Sequence, residues 1–254
     1  KNATAIVAWN WKAGTSFTND ASATGIGTID STGSVSDTSG FSIVSYTGTG
    51  SAGTIKHGLS TAPDLFIIKR RDSANDWRVG SSALTNFVKH VNLNTTAAES
   101  DLAAAFNSTA PTSSVFSVGT SPSTNASSGT YIAYCFADVQ GYSKIGSYKG
   151  NGNANGTFVY TGLKPAFILQ KVTNTSSNWL LFDNKRTDSN VVNKYLTGDT
   201  NSAESSETVM DFLSNGFKFR AASTSFNDSG NTYIYMAFAE NPFVTSTGVP
   251  ATAR

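Results

Sequence analysis

Thr130-Tyr131-Ile132-Ala133-Tyr134-Cys135-Phe136-Ala137-Asp138 returns further along the chain as Thr232-Tyr233-Ile234-Tyr235-Met236-Ala237-Phe238-Ala239-Glu240, an offset of 232 − 130 = 102 residues. Three blocks upstream keep that offset. Tyr46-Thr47-Gly48-Thr49-Gly50 matches Tyr148-Lys149-Gly150-Asn151-Gly152. Ala62-Pro63-Asp64-Leu65-Phe66-Ile67-Ile68-Lys69 matches Lys164-Pro165-Ala166-Phe167-Ile168-Leu169-Gln170-Lys171, and Trp77 matches Trp179. Four blocks at one spacing define an internal repeat, and a repeat sets the architecture before any local reading.

Within each copy, short runs rich in Ile, Val, Phe and Tyr are divided by Gly, Asn, Ser and Pro, the pattern of strands and turns. Residues 41–46 and 216–220 alternate, as half-exposed strands do. The runs 65–69 and 167–171 are nearly continuous, as expected of strands buried on both faces or in a sandwich core. Pro63 and Pro165 precede the buried runs, where a missing N–H costs the ladder little. A short helix or helical turn is expected over 96–106, with Ala98-Glu99-Ser100 echoed by Ala203-Glu204-Ser205 at a drifted offset of 105. Phe116 and Val118 fall on a strand in the Ser/Thr-rich tract 109–128. The fold class expected is therefore all-β: two tandem antiparallel β-sandwich modules, jelly-roll or immunoglobulin-like, with short helical turns.

The domain limits follow. Residues 40–140 form the first repeat and 141–244 the second, with a tail over 245–254. Thr4-Ala5-Ile6-Val7-Ala8-Trp9-Asn10-Trp11 resembles the closing strand of both copies. Residues 14–40 are low in apolar positions, so 1–39 reads as the terminal strand of a preceding unit plus a linker. On this reading the chain is the C-terminal part of a longer polypeptide, or its first strand completes a neighbour's sheet; the third alternative is a mature short protein.

Only 14% of the 254 residues are charged and the formal net charge is +1, so solubility rests on neutral polar groups. Beyond Lys69-Arg70-Arg71 and Lys185-Arg186 there is no basic cluster, which argues against a nucleic-acid partner. No apolar run approaches the ~20 residues of a membrane helix. The lone Cys135 excludes an intrachain disulfide and a multi-cysteine metal site and reads as a small buried strand residue. His57 and His90 are isolated in sequence.

Catalytic, cofactor and metal residues are all expected to be none. Gly48-Thr49-Gly50-Ser51-Ala52-Gly53 reads as a hairpin loop, not a phosphate loop, because no helix-forming sequence with Lys-Ser/Thr follows. The oxygen-rich turns 72–76 and 183–188 could chelate calcium, but Asp and Asn are common in turns because they bond their own backbone. Asp138, Asp183, Asp211 and Glu240 show no spacing that pairs two carboxylates across a sugar. Among Tyr46, Tyr148, Tyr160, Trp77 and Trp179, the recurrence of the two Trp residues favours a shared core position over a ligand contact. The Asn-x-Ser/Thr triplets at 94, 107, 125, 155, 174 and 227 are what this composition produces by chance.

The stretches 40–50, 111–119 and 131–148 and the ending 232–243 resemble an uncharacterised duplicated module. It is found near the C-terminus of tail-fibre-like and other virion structural proteins of marine tailed phages, often downstream of a concanavalin-like lectin domain. The likeness covers residues 4–243, and Trp9-Asn10-Trp11 resembles the junction after that lectin-like domain. It implies a location in the virion, as a tail fibre or receptor-binding appendage, with a host surface glycan, other virion proteins and further copies of the chain as partners. The alternatives are a capsid decoration protein or a carbohydrate-binding module. It supplies no ligand-binding residues.

Overall fold

The computed structural model describes residues 7–187 and 189–240. The chain is all-β, built on large antiparallel sheets. In chain order the strands are β1 (Thr15–Asn19), β2 (Ser31–Ser36), β3 (Phe41–Thr47), β4 (Gly53–Lys56), β5 (Leu65–Arg70), β6 (Arg78–Ser81), β7 (Lys89–Asn92), β8 (Ser100–Asp101) and β9 (Val115–Val118). They continue as β10 (Thr130–Phe136), β11 (Ser143–Lys149), β12 (Phe158–Tyr160), β13 (Phe167–Val172), β14 (Leu180–Asp183), β15 (Val192–Thr197), β16 (Ser205–Leu213), β17 (Gly216–Phe219) and β18 (Thr232–Phe238). Three single-turn helices intervene: α1 (Ala21–Thr24), α2 (Ala103–Phe106) and α3 (Pro122–Asn125).

The first sheet runs β1-β2-β3-β10-β5-β6-β7-β8 and the second β11-β18-β13-β14-β15-β16-β17-β12, with β4-β9 as a separate pair. The sequence repeat is thus a repeat of pairing. β10 lies between β3 and β5, and β18 lies between β11 and β13, each in the same antiparallel register. The second sheet curls toward closure. The Tyr148 ring of β11 packs on Phe217 and Phe219 of β17, and the Thr157 hydroxyl donates to the Lys149 carbonyl at 2.9 Å.

Alternation along the central strands explains the continuous apolar runs. In β5, Phe66 and Ile68 enter a core with Tyr46, Phe106, Phe116 and Tyr131, while Leu65 and Ile67 face the other way. In β18, Tyr233, Tyr235 and Ala237 enter the core of the second half with Phe182, Phe217 and Phe219, while Ile234, Met236 and Phe238 face the other way. The outward-turned sets meet. Phe41, Leu65, Ile67, Val79 and Phe136 of the first half pack with Ile145, Phe167, Trp179, Ile234, Met236 and Phe238 of the second. Phe136 and Phe238, equivalent in the repeat, touch ring to ring at 6.0 Å. Each large apolar side chain removed from water contributes ~1.5–3 kcal/mol, so this seam is a core in its own right and not a loose contact. The limits 40–140 and 141–244 are therefore limits of repeats whose shared core joins them into one packed body.

Several expectations change at this point. The stretch expected to be a linker carries β1 and β2, which extend the first sheet from β3. Its few apolar residues suffice because Phe17, Ile29 and Val35 lean on a core supplied by the rest of that half. Of the expected N-terminal strand, residues 4–6 lie outside the described residues, and residues 7–11 form no strand. Trp11 packs instead on Phe136, Phe167 and Phe238 at 5.2–6.0 Å, and Trp9 on Phe167 at 5.5 Å. The tail 245–254 also lies outside the described residues.

The 96–106 helix shrinks to α2, and its echo around Ala203-Glu204-Ser205 leads into the nine-residue β16, not a helix. Ala105 and Phe106 of α2 fill the core that Val209, Met210 and Phe212 of β16 fill in the other half. In the first half β4-β9 is detached, while in the second β17-β12 stays in its sheet. The loop 48–53 is a crossing, not a hairpin, since β3 and β4 belong to different sheets.

Candidate binding surfaces

The loops at one end of each half are held by a duplicated polar clamp. The Tyr46 hydroxyl donates to Thr124 O (2.6 Å) and that of Tyr148 to Phe226 O (2.7 Å), each ring stacking on its neighbour Tyr131 or Tyr233. The buried Asn125 accepts from Thr49 N (2.8 Å) and donates to Ser51 O and Gly119 O. Its repeat partner Asn227 accepts from Asn151 N (3.1 Å) and donates to Asn153 O and Ala221 O. Two of the Asn-x-Ser/Thr triplets therefore contain structural asparagines. Sequence reading missed this role, although the shared 102-residue offset of Asn125 and Asn227 could have shown it. Burial holds the Tyr46 and Tyr148 phenols far above their ordinary range.

The residues with chemical potential are dispersed. Cys135 is fully buried in β10 and burial pushes its thiol up to about 12. His57 is enclosed, its Nδ1 accepting from Leu59 N (3.1 Å) and its Nε2 bonded to Thr112 O (3.0 Å). Desolvation lowers its pKa, so the ring is neutral with the proton on Nε2. His90 receives the Arg78 guanidinium at Nε2, while its buried Nδ1 has no protein partner; desolvation and then Arg78 lower its pKa.

The four carboxylates singled out in the sequence are each ion-paired, with Arg186 shared between Asp183 and Glu204. Asp138 is ion-paired with Lys144, Asp183 with Arg186, Asp211 with Arg220 and Glu240 with Lys185. Burial nonetheless outweighs Lys144 and raises the Asp138 pKa. In the two oxygen-rich turns, Asp72 pairs with Arg70 and accepts from Thr130 N, while Asp183 accepts from Lys185 N and Arg186 N. The 183–188 turn is thus closed by its own donors, whereas the acids of 72–76 accept from residues outside it, Asp76 from the Asn92 and Asn94 amides. Among the described residues no three His, Cys, Asp or Glu gather as metal ligands, and no helix is long and apolar enough to cross a membrane.

Two concavities stand out among the described residues. A trough of about 640 Å³ at the open end of the first sheet is lined by Asn19, Asp20, Asp30, Thr32, Thr47 and Arg71. Its two Asp residues are acceptors for α1: Asp20 for Ser22 N and Ala23 N, and Asp30 for Ala21 N. The second, of about 740 Å³, lies on the seam between the halves, where Trp77 and Asn94 meet the turn Gly198-Asp199-Thr200-Asn201. The paired tryptophans part company here. Trp179 is buried as expected, its Nε1 donating to Asn92 O at 2.8 Å, whereas Trp77 is only partly covered.

A family model described as "Domain of unknown function (DUF7483)" matches residues 1–242, across both halves and the N-terminal strands. The chain belongs to this family. No curated protein and no solved structure matches it. For this DUF7483 member the groove, the trough and the clamp are therefore interpreted from their own chemistry.

Proposed function

We propose that this DUF7483 protein is a structural component of a tailed-phage virion, a tail fibre or receptor-binding appendage that works by non-covalent binding. In this reading two copies of one sandwich-like module are fused through a shared apolar core into a stiff spacer that holds loops outward. The virion part of this reading rests on the resemblance of the stretches 40–50, 111–119, 131–148 and 232–243; the observation that carries the non-covalent part is the commitment of the reactive groups to structure. The carboxylates that could serve glycoside hydrolysis are each paired with a different cation, and both histidines are buried and neutral. Such an arrangement suits a scaffold that binds without turning over its ligand.

Self-association accords with the edge strand β12, where Phe158 and Tyr160 stand 45% and 66% exposed on either side of the buried Val159. Exposed aromatic rings on an unpaired edge invite burial between copies. The test is labelling of intact particles with an antibody to this chain, together with the solution mass of the purified protein. Label at the tail tip and a mass that is a multiple of the chain support the appendage. Label over the capsid moves the assignment to a decoration protein, and absence from particles overturns the virion reading.

A further inference from the structure

We propose that the groove between the two halves, walled by Trp77 and edged by Asp199, is a binding site for an uncharged oligosaccharide. The proposal rests on reading the chain as a non-covalent binder, and it starts from an asymmetry within the repeat. Trp77 and Trp179 hold the same position in the two copies, yet only Trp179 is enclosed and hydrogen-bonded within the protein. Trp77 lies on Tyr134 with near-parallel rings 6.4 Å apart, and the Lys69 ammonium sits 5.9 Å from its centroid. An indole fixed in this way still borders the open groove, and its uncovered part offers a sugar an apolar wall.

The second observation is an acceptor without a donor. Asp199 Oδ1 receives Trp179 N (3.2 Å) and Asn178 Nδ2 (3.1 Å), whereas Oδ2 is buried with no protein partner. A buried carboxylate oxygen left unsatisfied is costly, and a ligand hydroxyl would satisfy it. Thr200 and Asn201 add a hydroxyl and an amide to the same rim.

The groove has charges of both signs beside it, Asp199 on its rim and Lys69 against the indole, so an ion of either sign meets a like charge there. A neutral polyhydroxyl chain fits both constraints, and about 740 Å³ lies within the 300–1,000 Å³ range of ligand sites.

The experiment is calorimetric titration of the full chain with maltotriose, cellotriose, xylotriose and chitotriose. It is repeated with Trp77→Ala, Trp77→Phe and Asp199→Asn, each variant checked for wild-type melting. Saturable heat is expected with at least one trisaccharide. Trp77→Ala and Asp199→Asn should each weaken it at least tenfold, and Trp77→Phe should retain part of it. Should Trp77→Ala fail to fold, Trp77→Phe and Asp199→Asn still decide. Binding that ignores these substitutions overturns the site while leaving a saccharide binder. No heat with any of the four overturns the saccharide assignment, and particle labelling judges the virion reading independently.

Discussion

Replacing Asn125 or Asn227 with Ala tests both the duplicated clamp and the shared core. Each side chain is fully buried and satisfies three backbone groups: one N–H and two carbonyls. A net ~0.5–1.5 kcal/mol per hydrogen bond, more where a stranded group stays dry, gives a loss of about 3 kcal/mol for either variant. A typical domain stability of ~5–15 kcal/mol leaves both variants folded. The halves share the packing of Phe136, Phe167, Met236 and Phe238, so damage to one clamp destabilises the whole body. Urea unfolding followed by far-ultraviolet circular dichroism and by tryptophan fluorescence should give one coincident transition. Trp9, Trp11 and Trp179 sit at the seam, so fluorescence reports on the junction itself. Both variants should move that transition by similar amounts. Two transitions, with Asn125→Ala shifting one and Asn227→Ala the other, would refute the inference that the seam couples the halves.

Cys135, with its thiol pushed up to about 12, should resist iodoacetamide at pH 8 in the native protein and react fully in urea; rapid native labelling would contradict its burial. Lys171, buried with its pKa lowered to about 8, donates to Thr96 O and Val172 O. Above pH 8 the unfolded lysine keeps a proton that the folded one loses, a contribution that raises stability with pH and is opposed by the raised Cys135, Tyr46 and Tyr148; the urea midpoint should therefore change less favourably from pH 8 to 9.5 in Lys171→Met than in the wild type. His57 and His90, with lowered pKa values, act likewise at lower pH: stability should fall as pH drops below about 6.5, where the unfolded imidazoles gain protons first. Gly48→Ala and Gly150→Ala would drive a Cβ to 2.3 Å from Ala126 O and 2.2 Å from Asp228 O. Each should cost about 1–3 kcal/mol by thermal melt, and a neutral result would mean the loops yield freely.

The strands around Tyr131 and Tyr233 were legible because their residues alternate between two environments and recur at one offset, and pairing preserves that order. β1 and β2 were not legible. Ser, Thr and Gly in residues 15–36 carry little periodicity, and those strands exist because the edge of β3 offers a ladder to pair with. The echo of Glu99 in Glu204 suggested matching helices, but whether that stretch turned or extended depended on which side chains were free to fill the core behind it. The candidate groove was harder still, since its residues come from positions 77–94 and 198–201 and meet only once the halves dock.

The sequence by itself determined the all-β class, the duplication and the burial of the central strands, since apolar runs and a fixed offset are properties of the chain alone. Only the tertiary structure decided what covered the second face of each sheet, that Trp77 and Trp179 would differ, and that Asp199 would keep an unpartnered oxygen. Those outcomes depend on contacts between residues far apart in sequence, and two identical local patterns take different environments when one packs at the rim of a seam and the other inside it.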